Sequence, residues 1–395
     1  MDTLLITSMA LELLLLLALF LVSRGYVLRS FPDRPAEAPR DGDPERPWPR
    51  AAVIVPLTGN SPEMRGCLQS LLNQDYPVYE TVLVTRDPED PATSLVRELL
   101  AHHPRVRHVI SGPAGTCSQK NHNLLAGLAV LDDAVEILVF CDSNHLAPPR
   151  LLRDLIRPLR LGEAVLTTGY RRIIPGDCRL ATLGTLQTVL VLQLLQAIPV
   201  LSQPWGGATA IARQVFADRG VGRVWSQTVV DDLSLWVHLH QSGIRLQGVP
   251  AACLTTHLSG QSLGAWSAWL TRQLQYLKYF LPGTWLASLL AAYLLIVPPL
   301  AAALACLGWL VGPVPGKHAL VGAGFLALLT GVAAWYRTLV PSKIPLGPWL
   351  AAFYATLGVA FFSYLKAWCT QTISWRGISY RVTWGGRVRQ IIPRP

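Results

Sequence analysis

Four long apolar runs, at 4–22, 285–310, 319–336 and 349–368, limit what this chain can fold into. About 20 apolar residues in a helix cross the hydrocarbon of a bilayer. No water is available there, so a helix must satisfy its own backbone polar groups, and each run is read as a membrane helix. The composition agrees: 51% hydrophobic residues, 15% charged residues and a mean hydropathy of +0.34 exclude an ordinary soluble enzyme. The first run carries one charge, Glu12, and its basic neighbours Arg24, Arg29 and Arg34 all follow it. A cleaved leader has the reverse arrangement. An uncleaved anchor is therefore expected, with its start outside and the next domain in the cytoplasm. With that placement a bacterial inner membrane and a eukaryotic Golgi membrane would look alike.

The net charge of +10 suits an anionic leaflet or a phosphate-bearing substrate. Basic residues are scattered and no nucleic-acid module occurs, so nucleic acid is not an expected partner, and no obligate protein partner is evident. The seven cysteines are odd in number and lack paired spacing, which reads as free thiols in a reducing compartment.

Between the first run and the later ones the pattern changes. Short apolar runs at 51–57, 81–84, 106–110 and 137–141 alternate with helical patterns at 60–73, 92–102 and 121–131. This alternation predicts a mostly parallel α/β sheet with its loops gathered at the carboxyl edge. No glycine-rich dinucleotide fingerprint and no Walker A lysine motif is present. A further strand is expected at 164–170. The apolar stretch 180–201 is broken by Thr182, Gln187, Gln193 and Gln196, which suggests a helix at the interface or against the soluble domain, with a span as the alternative. The glycine-rich segment 203–212 reads as a flexible pocket wall.

The segment 263–280 mixes Trp266, Trp269, Tyr276 and Tyr279 with Arg272 and Lys278, as an amphipathic helix at headgroup level does. The expected organisation is an anchor (1–24), a linker (25–50), an α/β domain (51–262), an interface helix (263–282), three membrane helices (283–370) and a basic tail (371–395). One anchor and three spans would put an external start and the tail on the same side, whereas the positive charge of the tail favours the cytoplasm.

The chemistry gathers at carboxylates. The strand at 137–141 ends on Asp142, Asp87 follows the second strand, and Asp231 and Asp232 open a helical pattern. Carboxylates at strand ends and helix starts in one crevice can divide three tasks: contacting a nucleobase, holding a cation against a diphosphate, and deprotonating a hydroxyl. His145 follows the same strand as Asp142 and reads as a sugar or phosphate contact, or as an ordinary hydrogen-bonded histidine.

The segments VTRDPEDP (84–91), QKNHNL (119–124), CDSN (141–144), VDD (230–232), RQLQY (272–276) and WRGISYR (375–381) together resemble family-2-type glycosyltransferases, specifically the ceramide glucosyltransferase branch. The resemblance covers nearly the whole chain. It implies a GT-A-like nucleotide-sugar-binding domain inserted between an N-terminal transmembrane anchor and C-terminal transmembrane helices, with a UDP-sugar donor, a lipid acceptor such as ceramide, and a divalent cation, Mn or Mg. It places Pro56, Asp87, Lys120, Asn121 and Asp142 at the donor, with Asp142 on the metal. Trp205, Gly206 and Gly207 resemble the acceptor-side loop. Asp232 matches the general base, and Asp231 orients it or ligates the metal. The metal motif departs from Asp-x-Asp, because Asn144 stands in the second place. Arg272, Gln275 and Tyr276 match a motif that ordinarily ends in Arg-Trp. Gln275 brings no positive charge, which leaves Arg272 or Lys278 to supply it. Such a chain would invert the transferred sugar; a processive polysaccharide synthase is the alternative, and an inactive membrane scaffold a more distant one.

Overall fold

The computed structural model describes residues 3–31, 47–103 and 105–393; most of the expected linker, 32–46 with Arg34, lies outside the described residues. The elements run α1 (Thr3–Arg29), β1 (Ala51–Pro56), α2 (Met64–Leu72), β2 (Tyr79–Thr85), α3 (Pro91–Leu100), β3 (Val106–Ile110), α4 (Gln119–Leu128), β4 (Ile137–Cys141), α5 (Leu151–Arg160), β5 (Leu166–Pro175) and α6 (Leu180–Leu195). They continue with β6 (Ala208–Ala212), α7 (Arg213–Asp218), α8 (Val221–Trp225), α9 (Asp232–Gln241), β7 (Gln247–Leu258), α10 (Leu263–Phe280), α11 (Pro282–Leu310), α12 (Gly316–Tyr336), α13 (Leu346–Cys369), β8 (Thr372–Trp375), β9 (Ile378–Val382) and β10 (Val388–Pro393). Two compact units result. One comprises the described residues of 29–172, 199–256 and 371–393; the other comprises 3–28, 173–198 and 257–370.

The first unit is a three-layer α/β/α domain. Its sheet has the order β3-β2-β1-β4-β6-β5-β7. Strand β1 shows why it is buried on both faces: Ala51, Val53 and Val55 join one core cluster with Leu68, Leu95 and Leu155, while Ala52 and Ile54 join another with Leu124, Trp225 and Leu235. Side chains alternate across a strand, so a fully apolar run needs a covering layer on each side. The expectation of a mostly parallel sheet is corrected in its second half. β1, β2, β3 and β4 are mutually parallel, but β6 runs antiparallel to both β4 and β5. The chain between β5 and β6 contributes α6 to the other unit, so no covering helix returns it in the parallel sense.

The glycine-rich segment read as flexible holds this central strand β6, whose residues 208–211 are at most 2% exposed. Gly169 on β5 leaves no room for a side chain: a Cβ would lie 1.9 Å from the Ala252 carbonyl oxygen on β7. Gly169→Ala is expected to destabilise this domain by about 2–3 kcal/mol, read as a fall in the thermal midpoint.

The segment expected as a basic tail folds as a second sheet of the same unit, in the antiparallel order β10-β9-β8. Val388 N–H donates to the Gln227 carbonyl at 2.8 Å, and Gln119 N–H donates to the hydroxyl of buried Tyr380 at 3.1 Å.

The second unit is helical. α1, α11, α12 with its continuation to Leu339, and α13 are each long and apolar enough to cross a membrane. Phe20 of α1 packs on Trp335 and Tyr336, and the Tyr336 hydroxyl donates to the Leu16 carbonyl at 2.7 Å. α11 and α12 meet backbone to backbone at Gly322, where a Cβ would lie 2.8 Å from the Ala302 carbonyl oxygen. α6 has 16 residues, about 24 Å of helix against about 30 Å of hydrocarbon, so it is too short to span. It packs on α13 and α10: Gln187 donates to the Trp349 carbonyl at 2.8 Å, and Trp266 lies over Gly184. Gln187 thus serves a helix contact within this unit. On α10, Arg272 and Tyr276 are half-buried and Gln275 is buried, its amide 3.4 Å from the Thr370 carbonyl. Lys278 donates to the Ala367 and Trp368 carbonyls at 2.9 and 3.2 Å, capping the end of α13. At the same level Trp285 of α11 lies 4.3 Å from Trp368, ring to ring.

Candidate active site

The carboxyl ends of β1, β2 and β4 converge on one edge of the sheet, placing Pro56, Asp87 and Asp142 on that rim. Helix α4 reaches the rim because Gly127 lets it lie directly on the sheet; a Cβ there would be 2.7 Å from Ile54. Its start is fixed by Ser118, whose hydroxyl accepts from Asn121 N–H. Lys120 therefore projects from the first turn. Its Nζ lies 2.9 Å from Asp142 Oδ1 and 3.0 Å from Asp231 Oδ2. The side chains of Lys120, Asp142 and Asp231 are 17%, 28% and 3% exposed, so water screens the group weakly.

Burial alone would lower the Lys120 pKa. The charges of Asp142, Asp231 and Asp232 outweigh it and hold the ammonium above its ordinary range. One positive and three negative charges leave the ionised cluster at −2.

Asp232 opens α9 beside this group. Its Oδ2 accepts from Gly206 N–H at 3.0 Å and its Oδ1 from Leu233 N–H at 2.7 Å. Burial first, then the Asp231 charge, push its pKa up to about 7, against the opposing effects of Lys120 and these two hydrogen bonds. That value suits proton transfer near neutral pH.

Gly206 is sterically required. A Cβ would come within 2.4 Å of Asp231 Oδ2 and 2.8 Å of Lys120 Nζ, so the Trp205-Gly206-Gly207 loop lies against the charge cluster. Trp205 packs 5.1 Å from the His145 ring and 5.5 Å from the Tyr170 ring. His145 is 2% exposed, with Nδ1 2.9 Å from the Thr256 hydroxyl and Nε2 3.9 Å from Asp142 Oδ2. Burial, then the Arg171 and Lys120 charges, lower its pKa well below the usual value and keep the imidazole neutral.

Asn121, expected beside the nucleotide sugar, is fully buried, and its amide donates to the Trp225 and Thr228 carbonyls and the Thr228 hydroxyl. It ties down the loop that carries Asp231, whose own carbonyl accepts from Trp225 Nε1. Asp87 lies farther along the rim, its Oδ1 accepting from Glu89 N–H at 3.1 Å and its Oδ2 3.7 Å from Arg86 Nε. The structure thus brings Lys120, Asp142, His145, Trp205, Gly206, Gly207, Asp231 and Asp232 together. Arg272, Gln275 and Tyr276 belong to the helical unit.

Among the described residues no group of three or more His, Cys, Asp or Glu could hold a metal ion. Two carboxylates with phosphate oxygens and water nevertheless suffice for a hard divalent cation. Asp142 and Asp231 meet on one ammonium, and the second oxygen of Asp231 is buried without a hydrogen-bond partner among the described residues. The donor set fits a cation shared with a diphosphate.

The fold is a central GT-A-like α/β domain flanked by an N-terminal and several C-terminal membrane helices, and it matches the mannosyltransferase PcManGT from Pyrobaculum calidifontis in complex with GDP-Man and Mn2+. That match has a TM-score of 0.53 at 20% identity and covers 91% of this chain and 99% of the other. The class so defined is the GT-A fold. Within it, residues 14–388 match glycosyl transferase family 21, and the chain belongs to that family. Ceramide glucosyltransferases from Komagataella phaffii and Candida albicans are similar over shorter stretches. They are 35% identical over 54 residues and 27% identical over 130, or 14% and 29% of this chain. These matches span 11% and 24% of the lengths of those relatives.

Proposed function

We propose that this protein transfers a sugar, glucose foremost, from a UDP-sugar to the primary hydroxyl of ceramide or a related membrane lipid, inverting the anomeric centre. The observation that carries the reading is Asp232: a carboxylate with a pKa near 7, held by Gly206 N–H beside a lysine-bridged pair of aspartates. As the acceptor oxygen attacks the anomeric carbon, Asp232 takes its proton and UDP departs from the opposite face. Gly206 and Leu233 N–H groups orient the base. Lys120 places a positive charge against the departing diphosphate.

The cluster at −2 would still repel a diphosphate. Asp142 and Asp231 would hold the cation that offsets this charge and stabilises the leaving group. A lipid acceptor is supported by the apolar helices and by the named activity of the family relatives. A lipid that keeps its chains in hydrocarbon avoids an extraction cost of about 0.8 kcal/mol per CH₂.

The test is transfer from radiolabelled UDP-glucose to ceramide by the purified protein in liposomes with Mn2+. One labelled glycolipid is expected; EDTA should stop its formation, and added Mn2+ or Mg2+ should restore it. No product from any UDP- or GDP-sugar with any lipid sinks the reading, and a long polymer would point to a processive synthase.

A further inference from the structure

The tail motif WRGISYR has no part in the chemistry above, yet its first residues face a pocket of about 280 Å³ that also touches Asp87. Asp87, Arg86, Glu89 and Asp90 from the β2–α3 loop meet Trp375 and Arg376 from the β8–β9 turn around this space. Resting on the nucleotide-sugar reading, we infer that the tail sheet forms one wall of the nucleobase site, with Trp375 and Arg376 as donor-binding residues for the uracil ring.

The turn itself argues for this. Arg376 and Gly377 are the two central residues of a tight hairpin, with φ of 48° and 79°. Positive φ at both positions is the type I′ pattern, which favours Asn-Gly or Gly-Gly. Arginine is a poor choice for the left-handed region, and Arg376 is the sole non-glycine residue with positive φ among those described. The unfavourable backbone is held by its surroundings. Thr228 and Arg387 form a bridge between the two sheets' loops, and Val229 N–H donates to the Gly386 carbonyl at 3.0 Å. Buried Tyr380 anchors the middle strand to Gln119. Strain that persists in a braced turn points to a role for the side chain it presents.

The chemistry of the wall matches a uracil edge. Uracil offers a carbonyl acceptor, an N–H donor and a second carbonyl acceptor. Arg86, Asp87 and Arg376 supply two donors and one acceptor around the same space. Half-buried Trp375 adds an aromatic surface on which a base can stack. Guanine, with two adjacent N–H donors, pairs less completely with this set.

Calorimetry on the full-length protein with UDP, GDP and inorganic pyrophosphate tests the assignment. Trp375→Ala is expected to weaken UDP binding at least about fivefold, the low end for a base stacked on an aromatic side chain. Trp375→Phe should recover most of it. Arg376→Gly should also weaken UDP while leaving the thermal midpoint equal or higher, because glycine relaxes the turn. Pyrophosphate, which lacks the base, should bind all variants alike. Unchanged UDP affinity in Trp375→Ala and Arg376→Gly overturns the inference while the donor reading stands. A wild-type protein that binds neither UDP nor GDP overturns both. Parallel losses of UDP and pyrophosphate reduce the tail to a structural role and also overturn it.

Discussion

Asp232→Asn should abolish lipid glycosylation, lowering turnover by about 10²–10⁴-fold while leaving the affinity for UDP within twofold. Asparagine keeps the shape and can still accept from Gly206 N–H at the position of Oδ2, so the loop stays in place. The capacity to take a proton is lost, together with the hydrogen bond from Leu233 N–H, which the amide NH2 cannot accept. Stability provides a second readout with a definite sign. A carboxylate whose folded pKa is raised binds more protons folded than unfolded, so its contribution falls as pH rises from about 4 toward the folded value near 7. Above pH 7 the wild type carries the full cost of the buried charge. In metal-free buffer at pH 8 the Asn variant should therefore melt at the same or a higher temperature than the wild type. More than a tenth of wild-type turnover in Asp232→Asn would remove this residue as the base.

Lys120→Ala should be the most damaging change to the fold of the site. The ammonium bridges Asp142 and Asp231 at 2.9 and 3.0 Å, and removing it leaves two carboxylates facing one another with little water. Breaking such a pair from one side costs about 3–5 kcal/mol, and the 28% exposure of Asp142 favours the lower figure. In a domain of this size about 3 kcal/mol corresponds to a fall of roughly 6–12 °C in the thermal midpoint. Arginine should not rescue it. The fork of a guanidinium is wider than an ammonium, and the Gly206 backbone already sits so close that one added carbon would lie 2.8 Å from Nζ. Lys120→Ala with Asp142→Asn should recover part of the loss, because the repulsion falls with the second charge. A shift under 1 °C in the single variant would mean that the bridge contributes nothing to stability.

The rim of the site was legible because its strands are buried on both faces. Continuous apolar runs such as ILVFC (137–141) announce themselves, and Asp142 ends that run abruptly. Asp231 and Asp232 were visible as a helix start. β6 was hidden because alanine and threonine beside two glycines look like a loop; only its neighbours β4 and β5 make it a strand. The tail sheet was hidden for a different reason. Ile373 and Tyr380 are buried while most of the surrounding residues are not, so no period of two emerges from the sequence. Asn121 illustrates a third limit: its place in a motif does not reveal that its amide faces inward to the Thr228 loop.

The hydrogen bonds from Gln119 to Tyr380 and from Val388 to Gln227 have a topological consequence. Groups bonded to one another lie on the same face of a bilayer, so the chain from 257 to 370 must traverse that bilayer an even number of times. Three long apolar helices occupy the interval. Three crossings alone would be odd, so an even count requires either that one of the three does not cross or that a further helix of the interval, α10, crosses with them. The same parity removes the conflict between the anchor and the basic tail. A single crossing by α1 followed by an even count would put residue 3 and the tail on opposite faces, with the arginines of the tail beside the domain they help to build.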